Sequence, residues 1–380
     1  MYLNIDSKTV WSYQALKKAY FHPKTCSLPN DGNAILMTLQ TINGSDFFGE
    51  LQFCRSNDSG ESWQQLPERI PNMGRTAIGN GIEDGVCDVV PDYHAPTKTV
   101  VAIGHNVYYR NGKLYDSLAD WEKEDGPVLQ RYIAYTTMDN NARWSGVRKR
   151  LECPEFANCS MFSCGCSQKV ILPNGNILIP ITFGYFDRKD RQVSSLLFSF
   201  NRNTLTPLKR GNILENPVGR GLLEPSIVEF RDKYYMTLRA EDERGYLSVS
   251  DDGLNWTPIK PWQWDNGTPL IMSTTQQHWL KLGGKLYLVY TRKNGVNTNI
   301  MRWRAPLLIA EFSPEKQCLL KATEQTVFPI RGDIEKPETV GLMGNFHPLA
   351  ISDSEAIITV GEMRPQMGFS GDSLLARITL

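Results

Sequence analysis

One short pattern occurs three times in this chain and limits what the chain can become. Ser56, Asp58, Gly60 and Trp63 stand at offsets 0, 2, 4 and 7. Thr137, Asp139, Asn141 and Trp144 repeat those offsets, with Asn in place of Gly. Asp251, Gly253 and Trp256 keep Asp-x-Gly-x-x-Trp, with Ser250 one place late. Each copy follows a strand-like run, and its chemistry is that of a hairpin turn. The Asp carboxylate accepts from backbone N–H groups ahead of it, Gly takes a positive φ, and Trp packs back onto the sheet.

A larger unit surrounds each copy: a strand, a Gly- or Asn-rich turn, a second strand, and a third that can end in the pattern. The first unit is read at 24–28, 34–39 and 51–55, and the second at 86–90, 99–103 and 132–136. The third is read at 170–172, 177–183 and 195–200, and the fourth at 226–230, 234–238 and 245–249. The fifth is read at 279–282, 286–290 and 307–312, and the sixth at 348–351, 356–360 and 374–378. From His22 to His347 the mean period is (347 − 22)/5 = 65 residues. Short antiparallel strands repeated at such a period predict an all-β, six-bladed β-propeller of four-stranded blades. Residues 7–11 are expected to supply the fourth strand of the last blade and close the ring. The whole chain, 1–380, reads as one domain, with the Asp-, Glu- and Lys-rich stretch 111–130 as a surface excursion.

Lys plus Arg number 41 and so do Asp plus Glu, so the chain is formally neutral and nucleic acid is not an expected partner. No run approaches the ~18 apolar residues of a membrane span, so no membrane partner is expected. The first residues lack the basic start and apolar core of a secretory leader. The compartment therefore stays open: cytoplasmic, or exported with a leader already removed. Cys153, Cys159, Cys164 and Cys166 read first as free thiols, then as disulfide partners, and least as a zinc site. No Gly-rich phosphate loop and no zinc spacing is present, so neither cofactor nor metal is expected.

In a propeller the first strand of each blade lines the central channel, and its start shares a face with the end of the second strand. First strands open at His22, Gln168, Glu224, Gln277 with His278, and His347. Second strands end at Gln40, His105 with Asn106, Tyr185, Arg239 with Glu241, Tyr290 with Arg292, and Glu362 with Arg364. Nearly all of these can ionise or donate, while the opposite turns carry plain Asn, Asp and Gly. Such an asymmetry is that of a preorganised polar site. Arg292, with Arg302 and Arg304 flanking Trp303, makes a basic group suited to a carboxylate or sulfate.

The Ser/Asp/Gly/Trp pattern is the Asp-box, and on it the sequence resembles the sialidase-like (BNR-repeat) β-propellers. The resemblance implies a carbohydrate-active enzyme with an oligosaccharide or polysaccharide substrate. Sialidases carry an arginine triad, a Tyr nucleophile with a Glu partner, and an Asp acid/base, the first Arg lying in Arg-Ile-Pro at the first blade. This chain has His22-Pro23 there, and its Arg69-Ile70-Pro71 follows the first Asp-box. Glu83 and Asp84 lie in the loop where the acid would sit.

The expected activity is exo-acting hydrolysis of a terminal, acidic sugar. Glu224 and Glu362 are the carboxylate pair, with Glu241 or Asp84 in reserve. Arg239, Arg292, Arg304 and Arg364 are placed on the anionic group. His22, His105, Gln277, His278, Tyr290, His347 and Tyr185 are placed on hydroxyls or proton transfer. The His-rich face is also similar to propeller lyases and glycosidases acting on rhamnose–glucuronate linkages, which makes β-elimination by His105 and Tyr185 the alternative. A non-catalytic glycan-binding propeller is the third reading.

Overall fold

The structure is a computed structural model that describes residues 2–32, 34–115 and 127–380. The expected excursion at 111–130 therefore lies in part, at 116–126, outside the described residues.

Six small antiparallel sheets form a ring, a six-bladed β-propeller. The first blade runs Tyr20–Ser27, Ile35–Thr41, Gln52–Ser56 and Glu68–Arg69. The fourth runs Leu223–Phe230, Lys233–Arg239, Gly245–Ser250 and Lys260–Pro261. The second, third and fifth exceed four strands. In the sixth, Asn4–Trp11 pairs antiparallel with Ser373–Thr379, from Asn4 against Thr379 to Trp11 against Ser373. The two ends of the chain are thus hydrogen-bonded into one blade, as expected from residues 7–11.

The inner edge of the third blade departs from expectation. Cys159–Ser163 and Val170–Ile171 both pair with Ile177–Tyr185, so this edge begins eleven residues before position 170. The turn at Cys164-Gly165-Cys166 breaks it in two and hid its first half in the sequence. All eight cysteines are free and buried.

The core lies between blades. Val101, Ile103, Ile133 and Tyr135 of the second blade meet Ile179, Ile181, Leu196 and Phe198 of the third in one buried cluster. At ~1.5–3 kcal/mol for each large apolar side chain removed from water, these seams hold the ring together.

The recurring turns form as their residues dictate. Asp58 Oδ1 accepts from Ser62 N at 2.8 Å, and Asp139 Oδ1 from Asn141 N and Arg143 N, each at 2.9 Å. In the third copy the capping carboxylate is Asp252, which accepts from Leu254 N at 2.8 Å and Asn255 N at 2.7 Å. Asp251 instead pairs with Lys233 across the sheet. The Ser-to-Asp spacing is thus kept, and it is the Asp-to-Trp spacing that is shorter.

Candidate functional site

The site starts from a repeated backbone defect. Three inner strands carry the same bulge, two residues opposite one: His22-Pro23, Asp88-Val89 and Glu224-Pro225. In each the first residue has a left-handed φ, of 54°, 53° and 45°. Cys166 repeats it in the third blade at 55°. Non-glycine residues rarely hold such angles, and the strain is characteristically found at functional sites. Gly104, opposite the Asp88 bulge, has to be Gly, because a Cβ there would stand 2.5 Å from the Cys87 carbonyl.

These residues share one mouth of the channel, where a cleft has two lobes. The larger, about 320 Å³, is lined by His22, Arg220, Arg239, Arg302 and Arg304 among others. The smaller, about 140 Å³, is lined by His105, Arg131, Arg191, Ser163 and Thr182 among others. Asp46, Asp88 and Glu224 border both, so the carboxylates stand where the lobes meet.

Their electrostatics differ. Burial pushes the Glu224 carboxyl up, but Arg239, Arg304 and Arg220 together outweigh it and hold the pKa below its ordinary value. Arg239 Nη1 donates to Glu224 Oε1 at 2.5 Å and Nε to Thr274 Oγ1 at 3.1 Å. Burial raises Asp88 to about 7; Lys24 opposes this, while Glu224 and Asp46 add to it. His22 Nε2 lies 3.1 Å from Asp88 Oδ1. Burial first, then Lys24 and His105, keep His22 well below its ordinary pKa, so its imidazole is neutral at pH 7. One carboxyl that keeps its proton near neutrality beside one that is ionised is the arrangement of an acid and its partner.

The guanidinium groups complete the larger lobe. Burial, then Arg239 and Arg302, lower Arg304 to about 9, still charged at pH 7. Arg304 Nη2 reaches Thr274 O at 3.3 Å, and its buried Nε has no partner. Burial, then Arg239 and Arg220, likewise lower Arg302. Cations pressed together in a wall favour an anion in front of them.

Cys87, Asp88 and His105 also converge, with ligand atoms within 4.8 Å of one another. Cys87 Sγ lies 3.3 Å from His105 Nε2. The trio does not suit a cation. Burial holds the Cys87 thiol protonated, Asp88 keeps its proton near neutrality, and Arg131 and Arg191 line the same lobe.

Of the residues expected from sequence, Glu224, Arg239, Arg302, Arg304, His22 and His105 line the cleft. The others do not. Glu362 is fully buried between Arg331 (3.5 Å) and Arg364 (3.4 Å). Arg364 also donates to Thr339 O. Glu241 is ion-paired to Arg220, which, ahead of burial, takes its pKa down to about 2. Tyr290 and Arg292 both close on Glu324, Arg292 through Nε at 2.8 Å and Nη2 at 2.6 Å.

Gln277 accepts from Trp262 Nε1 at 3.0 Å, and His278 uses both ring nitrogens, on Ser226 and Gln276. His347 lines the opposite opening of the channel. Tyr185 packs edge-on to Phe183 and lines neither lobe, so His105 and Tyr185 are not brought together. Asp84 accepts from Tyr132 and Asn106 and pairs with Arg148, away from the cleft.

Asp88, Asp46, Arg131, Arg191 and Arg220 were not singled out in the sequence. Asp88 sits inside the apolar run 86–90, and only its bulge turns it to the axis. The signal available was its alignment with His22 and Glu224, each two residues before the regular ladder resumes.

Fold and cleft together define a six-bladed β-propeller with two carboxyls of opposed pKa shift and an arginine wall at one channel mouth. No family model matches the chain, and no curated protein matches it. Solved structures do. A Dyadobacter fermentans protein of unknown function is 15% identical with a TM-score of 0.66, over 99% of both chains. Trypanosoma rangeli sialidase in complex with sialic acid is 13% identical with a TM-score of 0.63, over 94% of this chain and 54% of that one. The NanB sialidase of Streptococcus pneumoniae is 10% identical with a TM-score of 0.61, over 95% of this chain and 68% of that one. The chain thus spans about half the length of the trypanosomal enzyme, and at these identities the likeness is one of fold.

Proposed function

We propose that the protein is a glycoside hydrolase that removes a terminal acidic sugar from a glycan. The observation that carries this is the pairing of Asp88, protonated near neutrality, with Glu224, held ionised by Arg239, where the two lobes meet. Its resemblance in fold to sialidases supports the carbohydrate class.

The sugar's anionic group faces Arg302 and Arg304. Asp88 gives its proton to the glycosidic oxygen, and the anomeric C–O bond breaks with its electron pair going to that oxygen. Glu224 stabilises the positive charge that develops on the sugar. A water then attacks the anomeric carbon and returns a proton to Asp88, so one water is consumed per bond. Asp46, on the loop after Ile35–Thr41, is a third carboxyl group at the same opening.

The test is to incubate the protein with acidic bacterial and plant glycans and weigh the products. Products summing to substrate plus one water are expected. Products without added water and with a new unsaturated uronate absorbance overturn hydrolysis in favour of elimination, and retention of a glycan with no mass change makes the protein a binder.

A further inference from the structure

The smaller lobe is more than an extension of the larger one. Its polar groups are built in, and two of them lack protein partners. Thr182 Oγ1 and His105 Nδ1 are both buried without a hydrogen bond. Gly165 packs against the His105 ring, where a Cβ would stand 2.2 Å from Nδ1, so no larger residue fits in this wall of the lobe. Burial, then Arg131 and Arg191, keep His105 neutral, so it adds no charge of its own.

Arg131 brings a full charge to this wall. Its Nε reaches Asn106 O at only 3.4 Å, and no carboxylate among the described residues pairs with it. At about 140 Å³ the lobe suits a substituent better than a further sugar ring.

We infer that the smaller lobe, through Arg131, Thr182 and His105, is a second anion subsite, so that the ligand carries two negative groups, one on each side of Asp88 and Glu224. This rests on the carbohydrate reading above and names its substrate class: an acidic sugar whose neighbouring position carries a sulfate or a carboxylate. A planar guanidinium with a hydroxyl donor beside it recognises either tetrahedral sulfate or planar carboxylate. One anionic group alone would leave the half-buried Arg131 charge without a counter-ion and two buried polar groups without partners.

The experiment measures binding by calorimetry on the full chain. The ligands are a methyl glucuronoside, a glucuronate-containing disaccharide sulfated on the second ring, and its counterpart with a second uronate. Either doubly anionic ligand is expected to bind roughly tenfold tighter than the single anion, as a charge-assisted contact implies. Which of the two gains more identifies sulfate or carboxylate as the natural group. R131A abolishes the gain, and T182V, a nearly isosteric change at an unpartnered hydroxyl, reduces it. Equal affinity for single and double anions overturns the inference, as does a gain that survives R131A.

A second arm does not depend on sugars. Inorganic sulfate is expected to raise the melting temperature of the wild type more than that of R131A, because only a site present in the folded state gives a ligand-dependent shift. Equal shifts overturn the subsite. If no saccharide binds while the sulfate difference persists, it is the carbohydrate reading that fails and the anion subsite that stands.

Discussion

At the scale of single residues, the cleft depends on two carboxyls that titrate apart. For hydrolysis Asp88 has to carry its proton and Glu224 has to have lost its own. The rate is therefore expected to fall as pH rises through about 7, where Asp88 ionises, and to hold into mildly acidic buffer, because Glu224 is kept below its ordinary pKa. Asp88→Asn and Glu224→Gln should each lower kcat by roughly 10²–10⁴, and Asp88→Asn should also remove the alkaline limb. Arg239→Ala leaves Glu224 without its main counter-charge, so the acid limb should move to higher pH. Profiles of kcat/KM against pH for the three variants decide this, and an alkaline limb that survives Asp88→Asn would assign it to another group.

Stability follows from the same shift. Folding raises the Asp88 pKa from the ordinary ~4 of an unfolded carboxyl to about 7. The native state therefore binds this proton more tightly. The contribution is full below about pH 4 and is lost as pH rises through about 7. Asp88→Asn removes the titration, so the variant should gain stability over the wild type above pH 7 and not at pH 4. Urea unfolding at the two pH values measures it. A site residue whose replacement by an amide stabilises the fold would be one held there for chemistry.

At the scale of elements, the hairpin turns and bulges set how far the sequence could be read. Strand alternation and the Ser/Asp/Gly/Trp turns are local, so all six blades and the closing strand were legible in the chain. The bulges were not legible: His22-Pro23 and Glu224-Pro225 bulge while His347-Pro348 keeps a regular ladder, and at Asp88-Val89 an apolar run continues. Glu362, Tyr290 and Arg292 end their second strands as Arg239 does, yet they turn to partners distant in sequence, Glu324 and Arg331. Topological position alone does not tell a cleft residue from one satisfied beneath it.

The turns themselves are structural. Trp256 is buried, donates from Nε1 to Ser195 Oγ at 2.9 Å, and joins the third blade to the fourth. Trp256→Ala should cost about 3–5 kcal/mol by cavity formation and leave affinity at the cleft unchanged. Chemical denaturation and calorimetry on the same variant test both halves.

At the scale of the whole molecule, ring closure decides whether six blades behave as one. Asn4–Trp11 forms the outer strand of the sixth blade, and Ser373–Thr379 lies between it and Glu355–Gly361. Leu3 N also donates to Gln325 Oε1 at 2.8 Å, and Gln325 Nε2 returns to Leu3 O at 2.9 Å, tying the N-terminal segment to the fifth blade. Removal of residues 1–11 would leave Ser373–Thr379 as a free edge with a row of unpaired N–H and C=O groups, which seeks another strand. It would also remove Leu3 and Trp11, both buried in the intact ring, and uncover the apolar side chains clustered with them, Phe328 and Tyr20 among them. The truncated chain should melt well below the intact one and self-associate, and adding a peptide of residues 1–11 in trans should restore both properties. If melting temperature and mass in solution were unchanged by the truncation, the seams between blades would suffice alone. The cleft would then owe nothing to closure, although its walls come from the first blade at His22 and the fourth at Glu224 and Arg239. These walls keep their spacing only while the ring between them is continuous, so loss of closure should also weaken binding at the cleft.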